Sequence, residues 1–206
     1  MSMGIPKVVV FDLGKVLVDF DYAIATRRIA ARATMTAAEL YQWFATSPLL
    51  PQYELGELSK ELFFREICAA TGFQGTLAEF GLYFGDIFRP IEPMVELHGQ
   101  LRARQIPTYI FSNTNDLAVA HLRASFPFFQ QFEGYVYSYE HRAMKPQARL
   151  YEVVERVSRR KGPDILYLDD RLENIEAGAL RGWQVIHHQD PATTRARVRK
   201  LGLVER

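Results

Sequence analysis

The chain has 206 residues, 48% of them hydrophobic and 24% charged, which is enough to bury a full core and ordinary for a folded globular protein. Its 25 basic and 24 acidic side chains leave a net charge of +1, so neither nucleic acid nor an anionic membrane is expected as a partner. The single cysteine, Cys68, excludes a disulfide framework, and without a membrane-length apolar run or a signal-peptide profile a cytoplasmic protein is expected.

The first predicted element is Val8–Phe11, an apolar, β-branched run that reads as a strand buried on both faces. It stops at Asp12, and Gly14 two residues later lets the backbone turn sharply. A carboxylate at the end of a buried strand is costly as core, whereas the carboxyl ends of strands in an open α/β sheet are where ligands bind. From Tyr22 to about Ser47 the apolar spacing predicts amphipathic helices, the second capped by Thr36 with Glu39 completing a capping box. Pro48 and Pro51 are expected to break the chain. Ser59 should cap a helix through Leu62, Phe63, Ile67 and Cys68 that closes at Thr71-Gly72. A further helical pattern spans Leu77 to Phe88 and stops at Pro90. This helical stretch is too long for one crossover helix. It predicts an inserted all-helical cap over residues 21–88, set into an α/β core of residues 1–20 and 89–206. Asp19 and Asp21 mark the hinge into the cap, and Trp43, Phe44 and Tyr53 read as its core.

From Ile91 onward strand and helix alternate. Helices over Pro93–Arg104, Asn115–Ala124, Gln147–Arg160 and Glu173–Leu180 separate strands at Thr108–Phe111, Tyr135–Tyr137, Ile165–Leu168 and Gln184–Ile186. A last helix runs from Thr193 to Leu201, where Arg195, Arg197, Arg199 and Lys200 read as a solvated face. The alternation predicts a Rossmann-like parallel sheet covered by helices on both faces.

Two of these strands end like the first, one in Ser112-Asn113 and one in Asp169-Asp170. A single site built from these three strand ends is the expectation. Taken singly, Asp12 and Asp170 could cap the turns that follow them, Ser112 could be a helix N-cap, and Lys145 a surface lysine. The set favours chemistry. His187-His188 read as a solvated loop, while His141 and Arg142, just ahead of Lys145, are candidates for substrate contact.

Asp12, Ser112, Lys145 and Asp169-Asp170, in that order through an α/β core, resemble the haloacid dehalogenase-like superfamily over nearly the whole chain. The resemblance implies a Mg²⁺-dependent phosphatase that acts on a small phosphorylated metabolite through an aspartyl-phosphate. It makes Asp12 the nucleophile, and Ser112 with the backbone N–H of Asn113 the holders of a phosphoryl oxygen. Lys145 then offsets the negative charge. Mg²⁺ falls to Asp12, the Gly14 carbonyl and Asp170, with Asp169 direct or through water, and Asn174 buttresses the acidic loop. One residue departs from the pattern. Phosphatases of this superfamily carry a second Asp two residues after the nucleophile as general acid–base, and Gly14 stands there, which implies slow turnover.

The Asp12-Leu13-Gly14 opening, with Ser112-Asn113-Thr114-Asn115 and Lys145-Pro146, resembles the bacterial α-D-glucose-1-phosphate phosphatase branch, which implies a sugar phosphate. Two alternatives stand beside it. A 2-haloacid dehalogenase would use the same Asp nucleophile and tolerate Gly14, but would leave Asp169-Asp170 as unexplained repulsion. A weakened relic would only bind a phospho-ligand. The partner implied is a small phosphate ester, with the chain a monomer or homodimer.

Overall fold

The computed structural model describes residues 4–205. The chain opens with β1 (Val8–Phe11), turns past Gly14 and enters β2 (Val18–Phe20). Five helices follow, α1 (Tyr22–Ala30), α2 (Ala37–Thr46), α3 (Leu49–Glu54), α4 (Lys60–Thr71) and α5 (Leu77–Gly85). β3 (Phe88–Pro90) then returns antiparallel to β2, with Phe20 opposite Phe88. Beyond it the chain alternates through α6 (Glu92–Ala103), β4 (Thr108–Ser112), α7 (Asp116–Ser125), β5 (Gly134–Tyr137), the short α8 (Ser138–His141) and α9 (Ala148–Ser158). It finishes with β6 (Ile165–Asp169), α10 (Leu172–Leu180), β7 (Gln184–His187) and α11 (Pro191–Lys200).

The main sheet is parallel throughout, ordered β5-β4-β1-β6-β7. Because successive side chains of a strand face opposite ways, Val9, Phe11, Ile110 and Leu168 enter the core on one face of the sheet. Val8, Val10, Phe111 and Tyr167 enter the core on the other. Burial on both faces is why these strands read as unbroken apolar runs. β1 is central: from it the chain goes to β4 and β5 on one side, then crosses back to β6 and β7 on the other. Its carboxyl end therefore faces the crevice where ligands bind in such sheets.

The helix signals in the inserted segment act as expected. Thr36 and Glu39 form a reciprocal capping box on α2, Ser59 accepts from Leu62 N on α4, and Gly72 closes α4 in the left-handed region. Two expectations fail. Pro51 lies inside α3 and does not break it, because a first-turn N–H has no partner to lose. The pattern from Leu77 to Phe88 stops being helical at Gly85, and Phe88–Pro90 pairs with β2, so a two-stranded ribbon forms the base of the insert.

Three contacts tie α3 to the sheet side of the molecule. The Tyr53 hydroxyl donates to Asp116 at the start of α7. The Glu54 carbonyl accepts from Ser138 Oγ at 2.5 Å, and Ser138 Oγ in turn accepts from Thr114 N–H at 3.0 Å. Gly56, at φ +74°, comes so close to α8 that a Cβ there would lie 2.2 Å from the Tyr139 carbonyl oxygen. Thus α3 is registered against the loop that follows β4.

Candidate active site

Asp12, Ser112 and Asp169 stand at the ends of β1, β4 and β6, and the loop after α8 brings Lys145 among them. Lys145 Nζ lies 2.7 Å from Asp12 Oδ1, 2.7 Å from Asp169 Oδ2 and 3.0 Å from the Phe111 carbonyl oxygen. The lysine is held from behind. Its backbone N–H donates to Asn113 Oδ1 at 2.8 Å, and its carbonyl accepts from Asn113 Nδ2 at 3.2 Å. So the side chain of Asn113 clamps the Lys145 loop, a role beyond the backbone donor expected of it. Ser112 is buried beside it, its hydroxyl donating to the Asn113 carbonyl at 3.2 Å.

The two adjacent acids differ. Asp169 is fully buried and saturated with donors: Lys145, the Tyr167 hydroxyl, Arg171 N at 2.8 Å, and Asn174 Nδ2 at 3.0 and 3.1 Å. Asn174 thus braces the acidic loop as expected. The Asp170 carboxylate lines the cavity with no hydrogen bond or ion pair among the described residues, while His187 Nε2 sits 2.8 Å from its carbonyl oxygen.

Electrostatics separate the buried groups further. Burial raises the Asp12 carboxyl above its ordinary value, Lys145 opposing the rise and Asp169 adding to it. Asp169 is desolvated too, yet Lys145, Tyr167 and Arg171 N together hold it below the usual carboxylate range. Desolvation would lower the Lys145 ammonium, but its two carboxylate partners keep it raised.

Oxygens of Asp12, Asp169 and Asp170 all lie within 4.8 Å of one another. Counted formally, three carboxylates against the one ammonium of Lys145 leave two negative charges in surplus. The other cations on the cavity wall are engaged elsewhere, Lys15 with Asp19 and Arg171 with Glu173. A divalent cation with a preference for oxygen ligands balances this set, and the buried, partnerless Asn174 Oδ1 is a further acceptor beside it.

The cavity over these groups has a volume of about 310 Å³. Gly14, Phe20, Tyr22, Leu50 and Glu54 complete its wall, so α1 and α3 of the insert roof it. An adjoining cavity of about 290 Å³, walled by Tyr41, Phe44 and Pro51, shares Tyr22, Leu50 and Glu54 with it. A larger space of about 650 Å³ between α5 and α7 is lined by no carboxylate and gathers none of these groups.

Gly14 is constrained by a neighbour. A Cβ there would lie 2.9 Å from Phe20 Cε1, so the ring occupies the space a side chain at this position would need.

The histidines fall elsewhere than expected. His141, at the end of the short α8, and Arg142, which follows it, are not among the residues that line the cavity. His188 is no solvated residue: it is buried, with Nδ1 2.8 Å from Thr194 Oγ1. Sequence reasoning missed Tyr167, Glu54 and Tyr22. Tyr167 sits mid-strand, where an aromatic reads as core, and the other two belong to helices whose facing no periodicity reveals.

The donor pattern yields an expected result. Asp170→Ala should weaken Mg²⁺ binding by isothermal titration calorimetry more than Asp169→Ala, roughly 10–100-fold being usual even for a supporting residue. Equal or reversed losses would place Asp169 in direct contact with the ion.

The family model of haloacid dehalogenase-like hydrolases matches residues 6–182. Sesquiterpene phosphatase astK from Aspergillus oryzae is 23% identical over 197 residues, covering 95% of this chain and 96% of that protein. Among solved structures, a HAD family enzyme from Bacteroides thetaiotaomicron in complex with magnesium and inorganic phosphate superposes with a TM-score of 0.76 at 19% identity, over 90% of this chain and 96% of that one. The L-2-haloacid dehalogenase from Xanthobacter autotrophicus gives a TM-score of 0.62 at 17% identity, over 87% and 76%. At these identities the structural likeness establishes the shared fold.

Proposed function

The chain belongs to the haloacid dehalogenase-like hydrolases, and from that membership we propose that it is a Mg²⁺-dependent phosphomonoesterase acting through Asp12. The observation that carries this reading is the surplus of two negative charges among Asp12, Asp169, Asp170 and Lys145. A dehalogenase has no use for a third carboxylate beside its nucleophile. A phosphatase does, because those carboxylates would hold the divalent cation that screens a phosphate ester's charge from an anionic nucleophile.

In this reading Asp12 attacks phosphorus in line, and the departing oxygen leaves toward the roof formed by α1 and α3. Lys145, fixed between Asp12 and Asp169, offsets charge on the nucleophile and on the transferring phosphoryl group. Ser112 Oγ and Asn113 N–H take a phosphoryl oxygen once the serine hydroxyl leaves its own carbonyl neighbour. Asp12, the Gly14 carbonyl and Asp170 would hold Mg²⁺, with Asp169 behind them as an orienting acceptor. Held by these residues, Mg²⁺ would supply charge neutralisation for the phosphoryl group.

The branch resemblance points to a sugar phosphate as substrate. A second reading is favoured by the adjoining cavity, whose walls of Tyr22, Tyr41, Phe44, Leu50 and Pro51 suit the phosphate ester of an apolar alcohol. The sesquiterpene phosphatase relative points the same way. One assay tests the whole proposal. Purified protein should release phosphate from p-nitrophenyl phosphate with Mg²⁺ and not with EDTA, and should leave 2-chloropropionate intact. Comparing kcat/KM for glucose 1-phosphate and farnesyl phosphate separates the two substrate classes. Halide release, or phosphate release that survives EDTA, would overturn the reading.

A further inference from the structure

Hydrolysis of an unactivated phosphate ester needs a proton for the leaving oxygen and then a base for the attacking water, and position 14 offers neither. The Phe20 ring fills the space where a side chain at that position would act. The missing group must come from another part of the cavity wall.

The structure restricts the choice. With a phosphoryl group over Asp12 and Lys145, an organic group in the adjoining apolar cavity would put the ester oxygen where the two spaces meet. Three residues line both spaces: Tyr22, Leu50 and Glu54. Leu50 has no proton to transfer. Burial, helped by the nearby Glu54 carboxylate, drives the Tyr22 hydroxyl well above its ordinary value, so it stays protonated and cannot serve as the base. Of the remaining titratable groups on the wall, Asp12, Lys145 and Asp170 are already assigned to the nucleophile, its counter-charge and the cation, and Lys15 and Arg171 are tied to Asp19 and Glu173.

We propose that Glu54, carried by α3 of the insert, is the general acid–base of this enzyme, replacing the carboxylate absent at position 14. The assignment rests on the phosphatase reading. The half-buried Glu54 side chain has no hydrogen bond or ion pair among the described residues to consume its proton. Burial raises its carboxyl to about 7, which makes both the acid and the base form accessible near neutrality. Its backbone is also held still, since the Glu54 carbonyl accepts from Ser138 Oγ and the preceding Tyr53 donates to Asp116. A catalytic group needs that fixity, and here it comes from the core and not from the insert alone.

The step balances. As Asp12 bonds to phosphorus, the bond from phosphorus to the leaving oxygen breaks, and that oxygen takes the bond pair and the Glu54 proton to depart as an alcohol. In the second half, Glu54 carboxylate takes a proton from water while the water oxygen bonds to phosphorus. The bond between phosphorus and the Asp12 oxygen then breaks, leaving inorganic phosphate, free Asp12 carboxylate and protonated Glu54.

The test compares wild type, Glu54→Gln and Tyr22→Phe, all checked for an unchanged circular dichroism spectrum and melting transition, with Mg²⁺ present. Benzyl phosphate has a leaving group that needs a proton, and p-nitrophenyl phosphate has one that does not. For Glu54→Gln, benzyl phosphate turnover should fall by roughly 10²–10⁴-fold. With p-nitrophenyl phosphate the variant should give a rapid burst of p-nitrophenol equal to the enzyme concentration, then slow turnover with phospho-enzyme recoverable by rapid quench. A structural role would lower both substrates in proportion and leave no burst. That outcome overturns the proposal, as does a leaving-group-dependent loss in Tyr22→Phe in place of Glu54→Gln. Should Glu54→Gln melt early, Glu54→Asp is used instead, and a loss on benzyl phosphate no larger than on the nitrophenyl ester overturns the assignment. If wild type hydrolyses neither ester, the phosphatase reading itself fails and this assignment falls with it. An active wild type with an unaffected Glu54→Gln overturns this assignment alone.

Discussion

Asp12→Asn should abolish phosphate release, with a loss of roughly 10⁴-fold or more, the scale seen when a covalent nucleophile is removed. The fold should survive. Lys145 keeps its 2.7 Å contact with Asp169 and its 3.0 Å contact with the Phe111 carbonyl, so no buried charge loses its last partner. The sign of the stability change follows from the direction in which burial moves the Asp12 carboxyl. A carboxyl raised in the folded state relative to the unfolded chain destabilises the fold at pH above its unfolded value, where folding works against its charge, and not below. In EDTA at neutral pH the amide should therefore melt no earlier than wild type, and any gain should vanish as the pH falls below the ordinary carboxylate range. Substantial activity in Asp12→Asn free of contaminating phosphatase would remove Asp12 from the mechanism.

Lys145→Met is expected to be the most destabilising change at the site. Its side chain is 2% exposed, and those of its partners Asp12 and Asp169 are 10% and 0% exposed. Removing the shared cation leaves two buried carboxylates facing each other, and breaking a buried pair this way typically costs about 3–5 kcal/mol. For a chain of this size that corresponds to a melting temperature lower by about 10 °C. Saturating Mg²⁺ should return part of the loss, because the cation takes over some of the neutralisation, whereas activity should not return. Lys145→Arg should do little better, since a planar guanidinium cannot take the place of an ammonium set between two carboxylates and a carbonyl. A melting temperature unchanged in EDTA would mean that the carboxylates are not held as an ionised pair around the lysine.

The two variants separate what the linear chain shows from what it hides. Asp12, Ser112 and Asp169 could be read from sequence because each ends an apolar run, and burial on both faces makes such a run stand out. Helix boundaries set by side-chain hydrogen bonds to nearby backbone, as at Thr36, Ser59 and Gly72, were legible for the same kind of reason, since the determinants lie within a few residues of one another. The ribbon of β2 with β3 was not. Its two strands are three residues each and lie at opposite ends of the insert, so neither shows a period of its own and each exists only through the other.

Glu54 and Asp169 make the same point within the site. The sequence by itself determined that acids stand at particular strand ends and that position 14 lacks one, because identity and strand pattern suffice for both. Only the tertiary structure decided that Asp169 is consumed by donors from β6, α10 and the Lys145 loop while Asp170 stays free toward the cavity. It also decided that Glu54, forty residues downstream of Gly14 in the chain, lines the wall over Asp12. Hydrogen-bond saturation and desolvation depend on groups far apart in the chain, so they belong to no local stretch of sequence and come into being only when the elements pack.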